Sequence, residues 1–171
     1  MSNTALSEGR GPGRRLPSPS VLILLTFVMI ALGVGVLGAS ITELNIAGWY
    51  ASIAKPRFTP PNWLFVPVWG TLYVLMGISA WRVWRFKGVR SRELRFWWLQ
   101  LAFNLGWSVI FFGLHSIIGA LIEVALLLLL IVWTIVAFSA VDRVAGFLLW
   151  PYFGWTAFAA VLNLAIWRLN V

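Results

Sequence analysis

The sequence predicts an all-α integral membrane protein, a bundle of five transmembrane helices, and three observations lead there. Hydrophobic residues make up 61% of the chain, charged residues 11%, and only five of its 171 residues are acidic, too little polar material to cover a soluble globule. Five separate apolar runs, at about residues 21–40, 63–84, 93–113, 117–140 and 145–167, are each long enough to cross a bilayer at about 1.5 Å per residue. Irregular backbone is not tolerated against hydrocarbon, so runs of this kind cross as helices and pack together. The predicted organisation is a disordered basic tail over 1–20 and a transmembrane domain over 21–171, with a lid loop at about 41–62.

Residues 1–20 are rich in Gly, Pro, Ser and Arg and offer almost nothing to bury. Arg10, Arg14 and Arg15 before the first apolar run imitate a secretory signal, but that run exceeds a signal-peptide core of roughly 7 to 15 residues, so it reads as a retained helix. Gly33, Gly35, Gly38 and Ala39 suit close packing against a neighbouring helix. The stretch that follows, from Trp49 to Trp63, is studded with prolines. Pro56, Pro60 and Pro61 fix φ and lack a donor, so residues 55–62 form an ordered turn and the second helix starts after them.

The second helix carries an aromatic stripe of Asn62, Phe65, Trp69, Tyr73 and Met76 at helical spacing. A basic loop follows, with Arg82, Arg85, Lys87, Arg90, Arg92 and Arg95 against Glu93. With five crossings, ten of the thirteen Lys and Arg fall on the face shared by the N-terminus, this loop and Arg143, while Lys55, Arg57 and Arg168 fall on the other. The charge rule then puts the N-terminus and basic loop on the cytoplasmic side of the cell membrane and the lid and C-terminus outside. The +8 net charge is explained by orientation, and no nucleic-acid partner is expected.

The third helix has two faces. Gln100, Asn104, Trp107 and Phe111 share a narrow arc that should turn into the bundle, because amides are costly against lipid. Ala102, Gly106, Val109 and Gly113 lie opposite, a small-residue face expected to form a homodimer seam. In the fourth helix Glu123 is the one ionisable residue, roughly 9 Å from the helix start and read as partly hydrated. The single His115 has no second imidazole or thiolate to complete a metal site, and no metal is expected. The fifth helix carries Tyr152, Thr156, Ala159 and Asn163 as a polar-and-small stripe beside Trp155. Trp84, Trp97, Trp98, Trp150 and Trp167 read as an interfacial belt, whereas Trp69, Trp107 and Trp155 lie inside spans.

Three ordered motifs carry a resemblance. They are Trp49-Tyr50, Lys55-Pro56 and Thr59-Pro60-Pro61-Asn62-Trp63 with PVWGTLY at 67–73; QLAFNLGWSVIFFG at 100–113; and PYFGW at 151–155 with Phe158-Ala159, Leu162-Asn163 and AIWRLN at 165–170. Together they resemble the tryptophan-rich sensory protein and translocator protein family, called the peripheral benzodiazepine receptor in animals. The resemblance implies a compact, often dimeric five-helix bundle with a hydrophobic pocket under the loop between the first two helices. It also implies a receptor or sensor for porphyrins such as protoporphyrin IX and haem, with no obligatory cofactor, and implies membranes that include the outer membrane in some members. The implied ligand-binding residues are Trp49, Trp63, Trp69, Tyr73, Gln100, Asn104, Trp107, Trp155, Ala159 and Leu162. Trp69 and Trp155 are the residues implied in light- and oxygen-dependent porphyrin breakdown. Sterol recognition is not implied for this chain, because Leu164 stands where the motif over 161–168 has Tyr in animal members.

The residues themselves favour a flat conjugated ligand between aromatic faces, with any carboxylates reaching Lys55, Arg57 or pocket amides. No hydrolytic triad or phosphate loop is visible, so any chemistry must borrow its reactivity from the ligand. The alternative is a carrier that moves tetrapyrroles, lipids or sterols across the membrane. Five spans cannot be divided into two equal inverted halves, which speaks against active transport.

Overall fold

The computed structural model describes residues 19–171, and the expected disorder of the tail falls outside the described residues up to position 18. Every regular element is helical. α1 is Pro19–Asn45, followed by a π-turn at Ile46–Tyr50; α2 is Asn62–Lys87; α3 is Arg92–Ser108, followed by a second π-turn at Val109–Gly113; α4 is Ile117–Val141; α5 is the short Arg143–Phe147; and α6 is Trp150–Leu169. Five spans long and apolar enough to cross a membrane result, with α5 and α6 forming one of them. The chain is a multi-pass membrane protein. Around the bundle the order is α1, α2, α6, α4, α3 and back to α1, with α5 tucked between α4 and α2.

Local chemistry explains most boundaries. The Ser91 and Ser116 hydroxyls accept from the backbone N–H of Leu94 (3.3 Å) and Gly119 (3.2 Å), capping α3 and α4. Asp142 caps α5 through Oδ1 to Val144 N–H (2.9 Å), and its Oδ2 accepts from Arg82 Nε at 2.7 Å, which clips the end of α2 to the α4–α5 corner. Burial alone would raise the Asp142 pKa, but the Arg82 bond and the two backbone donors outweigh it and hold it below the usual carboxylate value. That contribution to stability is present above the ordinary carboxylate range and is lost as pH falls through the lowered pKa of Asp142. Pro151 accounts for the break between α5 and α6, since it has no N–H to give to the Phe147 carbonyl and fits the first turn of α6.

Two boundaries differ from expectation. α1 does not stop near Ser40 but runs to Asn45, because no proline or positive-φ residue interrupts it, and the backbone then kinks at Gly48 (φ −97°, ψ −105°) before a further turn that reaches Tyr50. Trp49 therefore sits just past that kink, in the turn that follows α1. The interfacial reading of Trp97 is also overturned: it is fully buried, donates from Nε1 to Met76 C=O at 3.1 Å, and meets Phe27 edge-on at 5.4 Å. Its buried indole N–H needs an acceptor, and the second lone pair of a mid-helix carbonyl supplies it.

The half of the bundle nearest the basic loop is solidly filled by Trp97, Leu94, Met76, Val83, Ile131 and Phe138. There α1 and α2 touch backbone to backbone: a Cβ added at Gly77 would lie 2.6 Å from Val28 Cα. Gly35 has its corresponding space taken by the Tyr73 ring. Gly77→Ala should cost about 1–3 kcal/mol by overpacking, seen as a lowered melting temperature in detergent. Gly33→Ala, where nothing lies within 4 Å of the added carbon, should be neutral or gain up to ~1 kcal/mol from helix propensity.

Candidate ligand-binding site

In the other half of the bundle the helices part around a cavity of about 580 Å³, within the range of small-molecule sites. α1 contributes Gly35, Val36, Ala39 and Glu43; α2 contributes Trp63, Phe65, Val66, Trp69, Gly70 and Tyr73; α3 contributes Asn104, Trp107 and Ser108; α6 contributes Trp155, Thr156 and Ala159. Val36, Trp63 and Val66 are 65%, 71% and 74% exposed while lining it. The cavity thus opens sideways between α1 and α2.

Its floor is a polar tie between three helices. The Tyr73 hydroxyl donates to Asn104 Oδ1, and Asn104 Nδ2 donates to the Tyr152 hydroxyl at 3.3 Å. All three residues are buried, where an unpaired hydroxyl or amide would be costly. Trp69 lies against both tyrosines, with ring centroids at 5.5 Å from Tyr73 and 6.2 Å from Tyr152. Across the cavity Trp155 meets Phe65 edge-on at 5.7 Å and Phe158 at 5.5 Å. The indole N–H groups of Trp107 and Trp155 are buried without an acceptor among the described residues. Aromatic walls over a fixed polar floor suit a flat, largely apolar ligand.

Of the residues singled out from the sequence, Trp63, Trp69, Tyr73, Asn104, Trp107, Trp155 and Ala159 come together on this one cavity. Leu162 instead lines a separate pocket of about 60 Å³, shared with Trp107, Phe111 and Asn163. Gln100 is buried and unpaired away from both pockets. Trp49 stacks on His115 at 4.6 Å and meets Phe111 at 5.3 Å, outside the cavity lining. His115 is occupied by that stack and by Asn45 Oδ1 at 3.0 Å. Glu123 is buried, with both oxygens unpaired among the described residues, because α4 turns it toward α3: a Cβ at Gly106 would lie 3.7 Å from its Oε1. Gly106 accordingly faces α4 of its own chain, while Ala102, Val109 and Gly113 are exposed.

Of the 41–62 stretch expected as a lid, Thr42, Glu43, Ile46, Tyr50 and Asn62 line the cavity, whereas the 51–61 segment supplies none of its lining. It folds over the end of α6, where Ala54 N–H donates to Asn170 Oδ1 and Asn170 Nδ2 donates to Ala54 C=O, both at 2.9 Å. Phe58 reaches Phe158 at 6.4 Å. Lys55 is not free for a ligand: its ammonium donates to the carbonyls of Tyr50 (2.6 Å), Ile53 (2.9 Å) and Ala51 (3.4 Å) and lies 4.8 Å above the Tyr50 ring. These carbonyls are left over where the turn after α1 ends, so the lysine caps it. Arg57 is likewise absent from the lining. Lys55→Met or Asn170→Ala should raise amide hydrogen exchange across 51–61 by at least about tenfold, since each removes bonds whose net worth is ~1 kcal/mol apiece. Exchange in α4 should be unchanged.

The chain matches the TspO/MBR family over residues 27–168. It is 42% identical over 139 residues to Protein CrtK of Rhodobacter capsulatus, covering 78% of this chain and 85% of that one. It is 38% identical over 154 residues to the tryptophan-rich protein TspO of Chlorobaculum tepidum, covering 88% and 97%. It is also 39% identical over 142 residues to the translocator protein of Sus scrofa, covering 78% and 84%. With a five-span bundle, the family match over most of its length and relatives of this similarity, the chain belongs to the TspO/MBR family.

Proposed function

We propose that the chain is a membrane receptor for a flat, largely apolar aromatic ligand of the tetrapyrrole class, held in the cavity between α1, α2 and α6. The observation that carries this is the placement of Trp69 and Trp155 on one cavity of about 580 Å³. Two indole faces there can contact a conjugated ring, at about 0.5–1.5 kcal/mol for each aromatic contact. In this reading Trp69 and Trp155 are also the oxidisable groups nearest a ring that absorbs light and reacts with dioxygen.

The same geometry supports a receptor over a carrier. All the lining residues belong to one half of the bundle, and the opposite half is closed by Trp97, Met76, Val83 and Leu94. A carrier needs a path from one face to the other, and this packing would have to come apart to make one.

Trp69→Phe and Trp155→Phe keep most of the apolar volume and remove the indole. Each should weaken binding of protoporphyrin dimethyl ester by about two- to tenfold and slow its loss in light and air, at a melting temperature close to the parent. Trp84→Phe, outside the lining, should leave both unchanged. Equal behaviour of all three variants would remove Trp69 and Trp155 from the site.

A further inference from the structure

The end of the bundle away from the cavity carries a dense run of charge at the corner between α2 and α3. Five cations, Arg85, Lys87, Arg90, Arg92 and Arg95, are all exposed there, against the single acid Glu93. Among the described residues none of the five has a carboxylate partner, and the neighbouring Asp142 is taken by Arg82. Their crowding is built into the backbone. Gly88 (φ 75°) ends α2 with its N–H on Trp84 C=O at 2.9 Å, Ser91 N–H donates back to Gly88 C=O at 3.4 Å, and α3 starts at Arg92. A left-handed turn of this kind suits glycine, and it sets the cations of two helix ends side by side. Arg85 is fixed further: its guanidinium lies 4.9 Å over the Trp81 ring, and the Trp81 indole N–H is held by Ser20 C=O at 2.8 Å. Two exposed apolar side chains, Phe86 and Val89, interleave with the cations. Orientation of the spans needs only the number of cations in the loop. It accounts neither for the apolar pair among them nor for Arg92 at the start of α3, where the helix dipole disfavours a cation.

We infer that this corner is a docking surface for anionic phospholipid. The lipid phosphates lie among Lys87, Arg90, Arg92 and Arg95, with Arg85 beside them on its indole, and Phe86 and Val89 enter the upper part of the acyl layer. Position decides for lipid over a soluble polyanion. The corner joins two spans and so lies at headgroup depth. Phe86 and Val89 gain from hydrocarbon and would gain nothing from a polyanion in water. Each cation near an anionic headgroup layer is attracted to it, and a tight turn that holds five of them together concentrates that attraction at one place. This surface is separate from the cavity and its ligand.

The test loads purified full-length protein in non-ionic detergent with equimolar dioleoylphosphatidylglycerol and dioleoylphosphatidylcholine, and counts retained lipids by native mass spectrometry. The chains are identical, so the ratio reads the headgroup, and in micelles the orientation of insertion has no effect. The parent should retain the glycerol lipid at least about tenfold over the choline lipid, and the preference should shrink as ammonium acetate is raised. Arg90→Gln with Arg92→Gln should lower it at least about fivefold, at an unchanged melting temperature. Arg90→Lys with Arg92→Lys should keep it, which separates loss of charge from loss of fold. Arg57→Gln with Arg168→Gln, the same change of net charge away from the corner, should stay within about twofold of the parent. Equal retention of the two lipids by the parent, or the same loss in both neutral pairs, overturns the inference. Displacement of the glycerol lipid by an equal concentration of glycerol 3-phosphate also overturns it, by assigning the corner to free phosphate.

Discussion

The site depends on one buried amide. Asn104 accepts from the Tyr73 hydroxyl and donates to that of Tyr152, so a single side chain on α3 joins α2 and α6. In hydrocarbon none of these groups could turn to water instead, and such interhelical bonds average roughly 0.6 kcal/mol. Their weight here lies in position. Tyr73 also fills the space beside Gly35 and, with Tyr152, sets the wall on which Trp69 rests. The amide thus couples the close α1–α2 contact below to the aromatic wall of the cavity above.

The cavity follows from the way α1 and α2 diverge. Gly77 lets their backbones meet near Val28, and from there they separate until Val36 and Val66 face a gap. The opening is lateral, toward the lipid, which suits a ligand that reaches the protein from the membrane. The 51–61 segment closes the end of the bundle instead. Lys55 and Asn170 hold it against the ends of α1 and α6, over the aromatic cluster of Tyr50, Phe111 and Phe112.

Much of this was legible in the residues. Span-length apolar runs marked the five crossings, and the 3.6-residue period placed Gln100, Asn104 and Phe111 on the buried face of α3. The period also brought Trp69, Tyr73 and Trp155 to one site. What escaped were features that depend on where helices end and how they are turned. Ending the first helix near Ser40 placed Glu43 in a loop and hid it from the cavity, although Val36, Ala39 and Glu43 share one helical stripe. Trp97 lies near a helix end in sequence and reads as interfacial, yet its neighbours Phe27 and Met76 come from other helices, information no single segment holds. The saturation of Lys55 was equally invisible, because it arises from the carbonyls of Tyr50, Ala51 and Ile53, left over where the turn after α1 ends.

The measurement that tests the cavity most directly is the ¹⁹F spectrum of protein labelled with 5-fluorotryptophan, its twelve tryptophans assigned by single Phe replacements, before and after addition of protoporphyrin dimethyl ester. The resonances of Trp63, Trp69, Trp107 and Trp155, which line the cavity, should shift together and saturate at one concentration. Those of Trp49 and Trp97 should stay in place. A saturating shift at Trp49 with Trp69 and Trp155 unmoved would contradict the assignment and put the ligand under the 51–61 segment instead.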